Sequence, residues 1–305
     1  MLVRHLINEL AHRLGIDPFQ IRLANYAETD PVSGKPWSSK KLRDCYEQGA
    51  KAFGWSQPLK EPGRDGPWLV GQGMADCSMG CFRMPSEAQV RLRADGSAVI
   101  EAGFQDIGTG TLTIFPQIVG DVLGLEPGLV SCRMGDTELP EAGPTYGSSS
   151  TMGVGAAVMR AAQDVIDKLR ARTGGELGAS GPPGAGALAA AMRSVGLDEL
   201  VGEGSFAPDQ SSPYAMQTFG AVFVEVGVDP ELGLLRLRRA VGRYSAGRIV
   251  NPRTARAQMI GGIVWGWGKA AMEVSQQDAR FGRWLSKNLS GVAVPVNADI
   301  PADLD

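Results

Sequence analysis

Apolar residues return at two periods along the chain, and the change of period divides it. Leu6, Ile7, Leu10 and Leu14 recur at helical spacing up to Gly15. Asp17 and Pro18 then have the residue types of an N-cap and a first helical position, followed by Ile21, Leu23 and Ala24. After a polar loop from Glu28 to Ser39, the residues Leu42, Cys45, Tyr46, Ala50 and Phe53 predict a third helix that stops at Gly54. Pro58 to Pro67 is rich in proline and glycine and reads as a linker, so a boundary is expected near residue 60.

Beyond it the period falls to two. Ala88, Val90 and Leu92 alternate with Gln89, Arg91 and Arg93, Asp95-Gly96 makes a tight turn, and Ala98 to Ala102 returns as a second strand. A similar hairpin follows later, from Ala221 to Val228 and from Leu235 to Val241. Each hairpin leads into a helix. The first carries Phe115, Ile118, Val119, Val122 and Leu123 and stops at Gly124, with Thr111 or Thr113 expected to cap it and Pro116 expected in its first turn. The second starts at Asn251-Pro252 and runs through Gln258 to Met272, thinned by Gly261, Gly262, Gly266 and Gly268. That helix is apolar but shorter than the ~20 residues of a membrane span, which predicts a buried helix with Trp265 and Trp267 in a core or pocket wall. A further helical stripe, Val158, Ala161, Ala162, Val165, Ile166 and Leu169, lies between the hairpins. The pattern implies an α+β fold of two related hairpin-plus-helix halves, about 61–172 and 188–305. A mobile glycine- and proline-rich surface linker over 173–187 joins them, and a helical segment over 1–60 precedes them.

Composition narrows the function. The chain has 305 residues and a formal net charge of -3, which argues against a nucleic-acid surface and for a small-molecule partner. Glycine, at 41 residues, is nearly twice its usual share of about 7%, which suits backbones that approach each other or a ligand. Four cysteines and two histidines are too few and too scattered for a zinc or iron–sulfur site of ordinary spacing. They read as reduced, buried thiols, which with the lack of a signal peptide points to the cytoplasm.

Two turns carry the candidate chemistry. Asp106-Ile107-Gly108-Thr109-Gly110-Thr111 and Tyr146-Gly147-Ser148-Ser149-Ser150-Thr151 each lie at the start of a predicted helix. A helix start presents unpaired N–H groups and the positive end of the dipole, and glycine lets a phosphate approach the backbone. Taken singly, either motif reads more readily as a plain turn and cap, because short glycine and serine motifs arise often without a ligand. Two in one chain suit two ends of one phosphorylated cofactor. A Gly-Lys-Ser/Thr phosphate loop and a placed Gly-Xaa-Gly-Xaa-Xaa-Gly fingerprint are both absent, which weakens a simple nucleotide-binding reading.

In order along the chain, several stretches resemble the second molybdenum-cofactor domain of the xanthine dehydrogenase/aldehyde oxidase large subunit, in its bacterial aldehyde oxidoreductase branch. They are Gly103 to Thr111 with Gln117, Met134-Gly135-Asp136-Thr137, the Gly147 to Thr151 turn, Phe223-Val224-Glu225-Val226, Gly247 to Pro252, Gln258 with Gly261-Gly262, and Pro295 to Asp299. The opening segment resembles the tail of the preceding domain. The resemblance implies a molybdopterin cofactor, in bacteria usually the cytosine dinucleotide, and hydroxylation of aldehydes or N-heteroaromatics with water as the oxygen source. It places Ile107, Gly108, Thr109 and Gly110 against the pterin, Ser148, Ser149, Ser150 and Thr151 on phosphates or pterin edge, and Gln258 as a hydrogen-bonding amide. Thr109 departs from the glutamine of better-known eukaryotic members.

The resemblance also says what lies elsewhere. The family's base glutamate is expected beyond Asp305 and the loops of the first molybdenum domain before Met1, so no catalytic residue is assigned. Glu101 and Glu273 are expected to be solvated structural residues. 2Fe-2S clusters and FAD are expected on an iron–sulfur subunit and an FAD subunit of a heteromeric complex, which could also carry the chain to the periplasm. The contrasting reading is a non-catalytic remnant that keeps the fold without metal.

Overall fold

Backbone pairing sorts the chain into two main sheets. The computed structural model describes residues 2–55, 63–175, 177, 181–209 and 211–305. In chain order they form α1 (Leu2–Leu14), α2 (Pro18–Ala24), α3 (Leu42–Phe53), β1 (Gly63–Asp65), β2 (Trp68–Gly80), β3 (Ser86–Arg93), β4 (Ala98–Glu101), α4 (Thr111–Leu123), β5 (Val130–Arg133), α5 (Ser150–Thr173), α6 (Gly184–Ser194), β6 (Glu199–Phe206), β7 (Gln217–Asp229), β8 (Leu234–Ser245), α7 (Pro252–Ala271), β9 (Gln277–Asp278), β10 (Arg283–Trp284), α8 (Leu289–Val292) and β11 (Asp303–Leu304). Two compact units result. Unit 1 holds the described residues up to Gly80, with Pro213–Arg248 and Ala255–Asp305, and unit 2 holds Cys81–Ser212 and Ile249–Thr254.

Unit 2 is built on a four-stranded sheet in the order β5-β4-β3-β6. The alternation of β3 survives in three dimensions: Ser86, Ala88, Val90 and Leu92 are buried, while Glu87 and Arg93 are exposed. Helices α4 and α5 close the core with Phe104, Phe115, Val119, Leu123, Val158, Val165 and Leu169. The contact of α5 with β6 is backbone on backbone. A Cβ at Gly204 would lie 2.1 Å from the Ala157 carbonyl oxygen, and one at Gly202 would lie 2.2 Å from that of Ala161. Glycine is required there by space alone.

Unit 1 carries a five-stranded sheet in the order β1-β2-β7-β8-β11. Helix α3 lays Leu42, Cys45, Tyr46 and Phe53 on Phe219, Phe223 and Val241, and Gly54 ends it in the left-handed conformation at φ 73°. Asp17 caps α2 by accepting the Phe19 N–H at 2.8 Å. The buried Arg22 is held by Asp76 Oδ1 at 2.9 Å and by the Pro18 carbonyl at 2.9 Å, so its charge is compensated where water is absent.

Several expectations are corrected. The halves interleave rather than follow one another. β2 pairs with β7 over Leu69 to Gly80, and β6 pairs with β3, so linear boundaries near 60 and across 173–187 do not coincide with the units. The Pro58 to Pro67 linker falls partly outside the described residues, and its last part is the β1–β2 hairpin. The 173–187 linker is likewise described only in part, and its end from Gly184 is the first turn of α6. The α1 stripe is uncovered: Leu6, Leu10 and Leu14 are exposed, while Ala11 is buried. Helix α7 is not buried either. Gly268 is its one buried position among the described residues, and Trp265 is 73% exposed. Its four glycines remove the side chains that could grip a neighbour, so apolar composition alone misreads it.

Among the described residues no helix is long and apolar enough to cross a membrane. The closeness of α5 and β6 makes a direct prediction. Gly204→Ala is expected to lower the thermal midpoint by about 6–12 °C, corresponding to overpacking of about 3 kcal/mol. Gly128→Ala, where a Cβ meets open space, is expected to stay within about 0.5 kcal/mol of the parent. Equal midpoints for the two variants in a melting experiment would show that α5 is free to lift from the sheet.

Candidate functional site

Each of the two turns rises from a well-anchored base. Before the first, Gly103 N–H donates to the Pro140 carbonyl at 2.8 Å, and the buried Phe104 ring meets Phe115 edge-on at 4.8 Å. Past this anchor Gln105, Ile107 and Gly108 are exposed. Asp106 holds the turn closed, Oδ1 accepting the Gly108 N–H at 2.8 Å and Oδ2 the Leu112 N–H at 3.0 Å. Those bonds, the one from Leu112 foremost, hold its carboxyl below the usual carboxylate range. Gly108 and Gly110 sit at φ 93° and 85°, where an L side chain is strained. Gly110 also has Thr254 beneath it, whose methyl would lie 2.9 Å from an added Cβ.

The cap of α4 is therefore not Thr111 or Thr113. The N-cap position is Gly110, which has no side chain, and Asp106 reaches across the turn to supply the acceptor. Pro116 is also displaced from the expected first turn to the sixth residue of α4. Leu112, four residues earlier, cannot receive the usual helical bond from it.

The second turn commits its four hydroxyls differently. Ser148 is exposed, adopts φ 63°, and makes no hydrogen bond with its hydroxyl among the described residues. Ser149 is 2% exposed, and its hydroxyl donates to the Tyr146 carbonyl at 2.9 Å, with the Pro144 carbonyl at 3.3 Å as a second acceptor. That hydroxyl builds the turn. Ser150 Oγ bonds Thr145 Oγ1 at 3.3 Å, and Thr151 is exposed. The first two amides of α5, Ser150 and Thr151, have no acceptor among the described residues, whereas those of Met152 and Gly153 bond the Ser149 carbonyl. Gly153 seats the helix, since a Cβ there would lie 2.6 Å from Ser86 Oγ and 2.7 Å from the Met84 carbonyl oxygen.

Unit 2 thus brings eight of the nine expected residues onto two helix starts. The turns are joined to each other. Gln105 N–H donates to Thr145 Oγ1 at 3.2 Å, Thr145 Oγ1 donates to the Gln105 carbonyl at 2.9 Å, and Thr145 N–H donates to Gln105 Oε1 at 3.2 Å. A third helix start adjoins the first: Asn251 Oδ1 caps α7 through Arg253 and Thr254, while its Nδ2 donates to Gln117 Oε1 at 3.1 Å. Gln258, the ninth residue, is exposed on the part of α7 that groups with unit 1.

The residues suit a polar ligand. Thr109 Oγ1 is buried without a hydrogen-bond partner, a condition that costs about 1–3 kcal/mol unless a ligand supplies one. Glu101 offers no free base. It is buried, not solvated as expected, and accepts Arg91 at 3.0 Å and Arg133 at 2.8 Å. Glu273 is half-buried just past the end of α7. Burial pushes the Cys132 thiol up to about 12 and Cys45 to about 11, so both are neutral thiols near pH 7. Among the described residues no group of three or more His, Cys, Asp or Glu is placed to hold a metal ion.

The roles of Gln105, Thr145 and Asp106 were not foreseen. Asp106 has a local signal, an aspartate two residues before a glycine, typical of a side-chain-closed turn. Gln105 and Thr145 lie 40 residues apart and have none. Because the Asp106 carboxyl is depressed in the folded chain, its contribution is present above the ordinary value of 3.8 and is lost as pH falls through the lower folded value. Asp106→Asn is expected to cost about 1 kcal/mol at pH 7 and to flatten the loss of stability below about pH 4. Thermal melts of both proteins across that range check it, and parallel curves would remove Asp106 from this role.

Comparisons with known proteins bear on the family and the fold. Residues 48–301 match the model of the molybdopterin cofactor-binding domain. The chain is 36% identical over 318 residues to the aldehyde oxidoreductase molybdenum-binding subunit PaoC of Escherichia coli (strain K12), covering 99% of this chain and 42% of that protein. It is 26% identical to the xanthine dehydrogenase molybdenum-binding subunit of Escherichia coli O157:H7, covering 98% and 44%. The aldehyde oxidoreductase structure from Desulfovibrio desulfuricans ATCC 27774 superposes with a TM-score of 0.78 at 25% identity, over 98% of this chain and 33% of that one. The CO dehydrogenase of Oligotropha carboxidovorans gives 0.82 at 21% identity, over 99% and 43%, which bears on the fold alone. The chain spans less than half the length of the curated relatives it matches, and it belongs to the molybdopterin cofactor-binding domain family.

Proposed function

We propose that this chain is the part of a molybdenum hydroxylase subunit that grips molybdopterin by its anionic and pterin groups at the two helix starts of unit 2. The observation that carries the reading is the serine-rich turn, which leaves the first two amides of α5 without an acceptor among the described residues and is bonded through Thr145 to the start of the Asp106-closed turn on the same unit. Such amides, with the positive ends of two helix dipoles, stabilise phosphate without a cationic side chain. Ser148 and Thr109 supply the hydroxyls that no protein group uses. Ser150 divides its hydroxyl between Thr145 and a ligand, and Ser149 supports the turn from beneath.

When bound, the cofactor supplies the metal at which a substrate carbon is oxidised. The substrate is an aldehyde or an N-heteroaromatic, in keeping with similarity to an aldehyde oxidoreductase and a xanthine dehydrogenase subunit, and the family resemblance implies water as the oxygen source. The cytosine dinucleotide form suits two anion-facing turns, since a second phosphate gives each a charge to hold. The family resemblance assigns 2Fe-2S and FAD to partner subunits, and the description of relatives as subunits of larger enzymes supports a heteromeric assembly.

The test is the molybdenum-to-protein ratio, with pterin fluorescence after oxidation, measured on the chain alone and co-expressed with its partner polypeptides. Molybdenum on co-expression is the expected result, and its absence from both preparations removes the reading. A second measurement addresses the turn itself. Ser148→Gly relieves a left-handed side chain and is expected to stabilise the chain by about 0.5–1 kcal/mol. The same change should reduce molybdenum content by more than half. Full occupancy in this variant would mean that Ser148 never meets the cofactor.

A further inference from the structure

Thr145 Oγ1 is saturated. It accepts from Gln105 N–H at 3.2 Å and from Ser150 Oγ at 3.3 Å, and it donates to the Gln105 carbonyl at 2.9 Å. One hydroxyl offers one donor and two acceptor positions, and all three are in use. Two of these bonds run to the glycine-containing turn before α4, and the third runs to the first residue of α5. Gln105 completes the junction by accepting the Thr145 N–H through Oε1 at 3.2 Å and donating Nε2 to the Gly103 carbonyl at 2.8 Å.

We infer that Gln105 and Thr145 are a positioning pair that sets the spacing between the two cofactor-facing turns, and so governs cofactor retention more than the stability of the unit. The inference rests on the cofactor reading above. It follows from where the bonds lie. Gln105 is exposed and Thr145 half-buried, so water competes for every group in the junction and each bond adds little net stability. Both turns are already secured below the junction, by the Phe104–Phe115 contact, the Gly103–Pro140 bond and the buried Ser149 hydroxyl. What those anchors leave undetermined is the register of one exposed tip against the other. A ligand that touches both turns, the open amides of α5 on one side and the Thr109 hydroxyl on the other, gains most when their separation is preset, because no ordering is then needed on binding.

Thr145→Val keeps the shape and removes all three bonds, Thr145→Ser restores the hydroxyl, and Gln105→Ala removes the matching side chain. The full chain is expressed with its partner subunits in a host that makes molybdopterin, and the rate of molybdenum loss on dialysis is followed beside the thermal midpoint. Thr145→Val and Gln105→Ala are expected to lose molybdenum about tenfold faster, equivalent to about 1.4 kcal/mol, with midpoints within about 3 °C of the parent. Thr145→Ser is expected to retain molybdenum like the parent. Retention in Thr145→Val equal to the parent overturns the inference, as does loss of retention only in step with a collapsing midpoint. A parent protein that carries no molybdenum defeats the cofactor reading instead. The pair is then judged by amide hydrogen exchange on the same chains: faster exchange at residues 108–112 and 150–153 together in Thr145→Val upholds the coupling of the turns, and a change confined to one turn overturns it.

Discussion

Everything in unit 2 depends on how closely α5 lies on the sheet. Gly202 and Gly204 of β6 face the helix backbone with no room for a Cβ, so the interface is fixed by carbonyl and amide atoms that cannot change rotamer. Gly153 repeats this contact at the helix start, against Met84 and Ser86. A helix held at its start and along its middle by close contacts presents its first amides in one place. The serine-rich turn is therefore aimed by glycines, two of them some fifty residues further along the chain. The chemistry at the tip is polar and exposed, while the constraint that directs it is steric and buried.

The first turn is aimed by a different means. Phe104 and Phe115 lock the base of α4 into the core, and Asp106 closes the loop over it. Neither turn contains a lysine or arginine. That restraint suits a ligand that must be surrounded and oriented, since backbone amides are directional and do not swing away as long cationic side chains do.

The elements visible from sequence were those whose signal is local. The β3–β4 and β7–β8 hairpins, α3 with its terminal Gly54, and the Asn251-Pro252 start of α7 all lie where their residues imply. The misreadings share a cause as well. β2 and β6 find their partners far along the chain, so the interleaving of two sheets leaves no periodic mark. The glycine-rich α7 looks buried because its residues are apolar, yet glycine contributes no surface to bury. In the site, the two turns announce themselves by composition, whereas the Gln105–Thr145 junction and the contact of Thr254 with Gly110 exist only once the chain is folded. Only the folded chain separates Ser149, which supports its turn, from Ser148, which is left open.

The unsatisfied Thr109 hydroxyl has a bearing on the life of the protein before it is loaded. On the proposed reading, in which the cofactor meets Thr109, a buried oxygen with nothing to bond lowers the stability of the unloaded fold and ceases to do so on loading. If the difference is about 1–2 kcal/mol, the empty chain visits open, protease-sensitive states roughly 5- to 30-fold more often than the filled one. Chains that never receive their cofactor would then be removed faster than those that do, with no dedicated inspector. One threonine oxygen would link the supply of a scarce metal cofactor to how much of the protein a cell keeps.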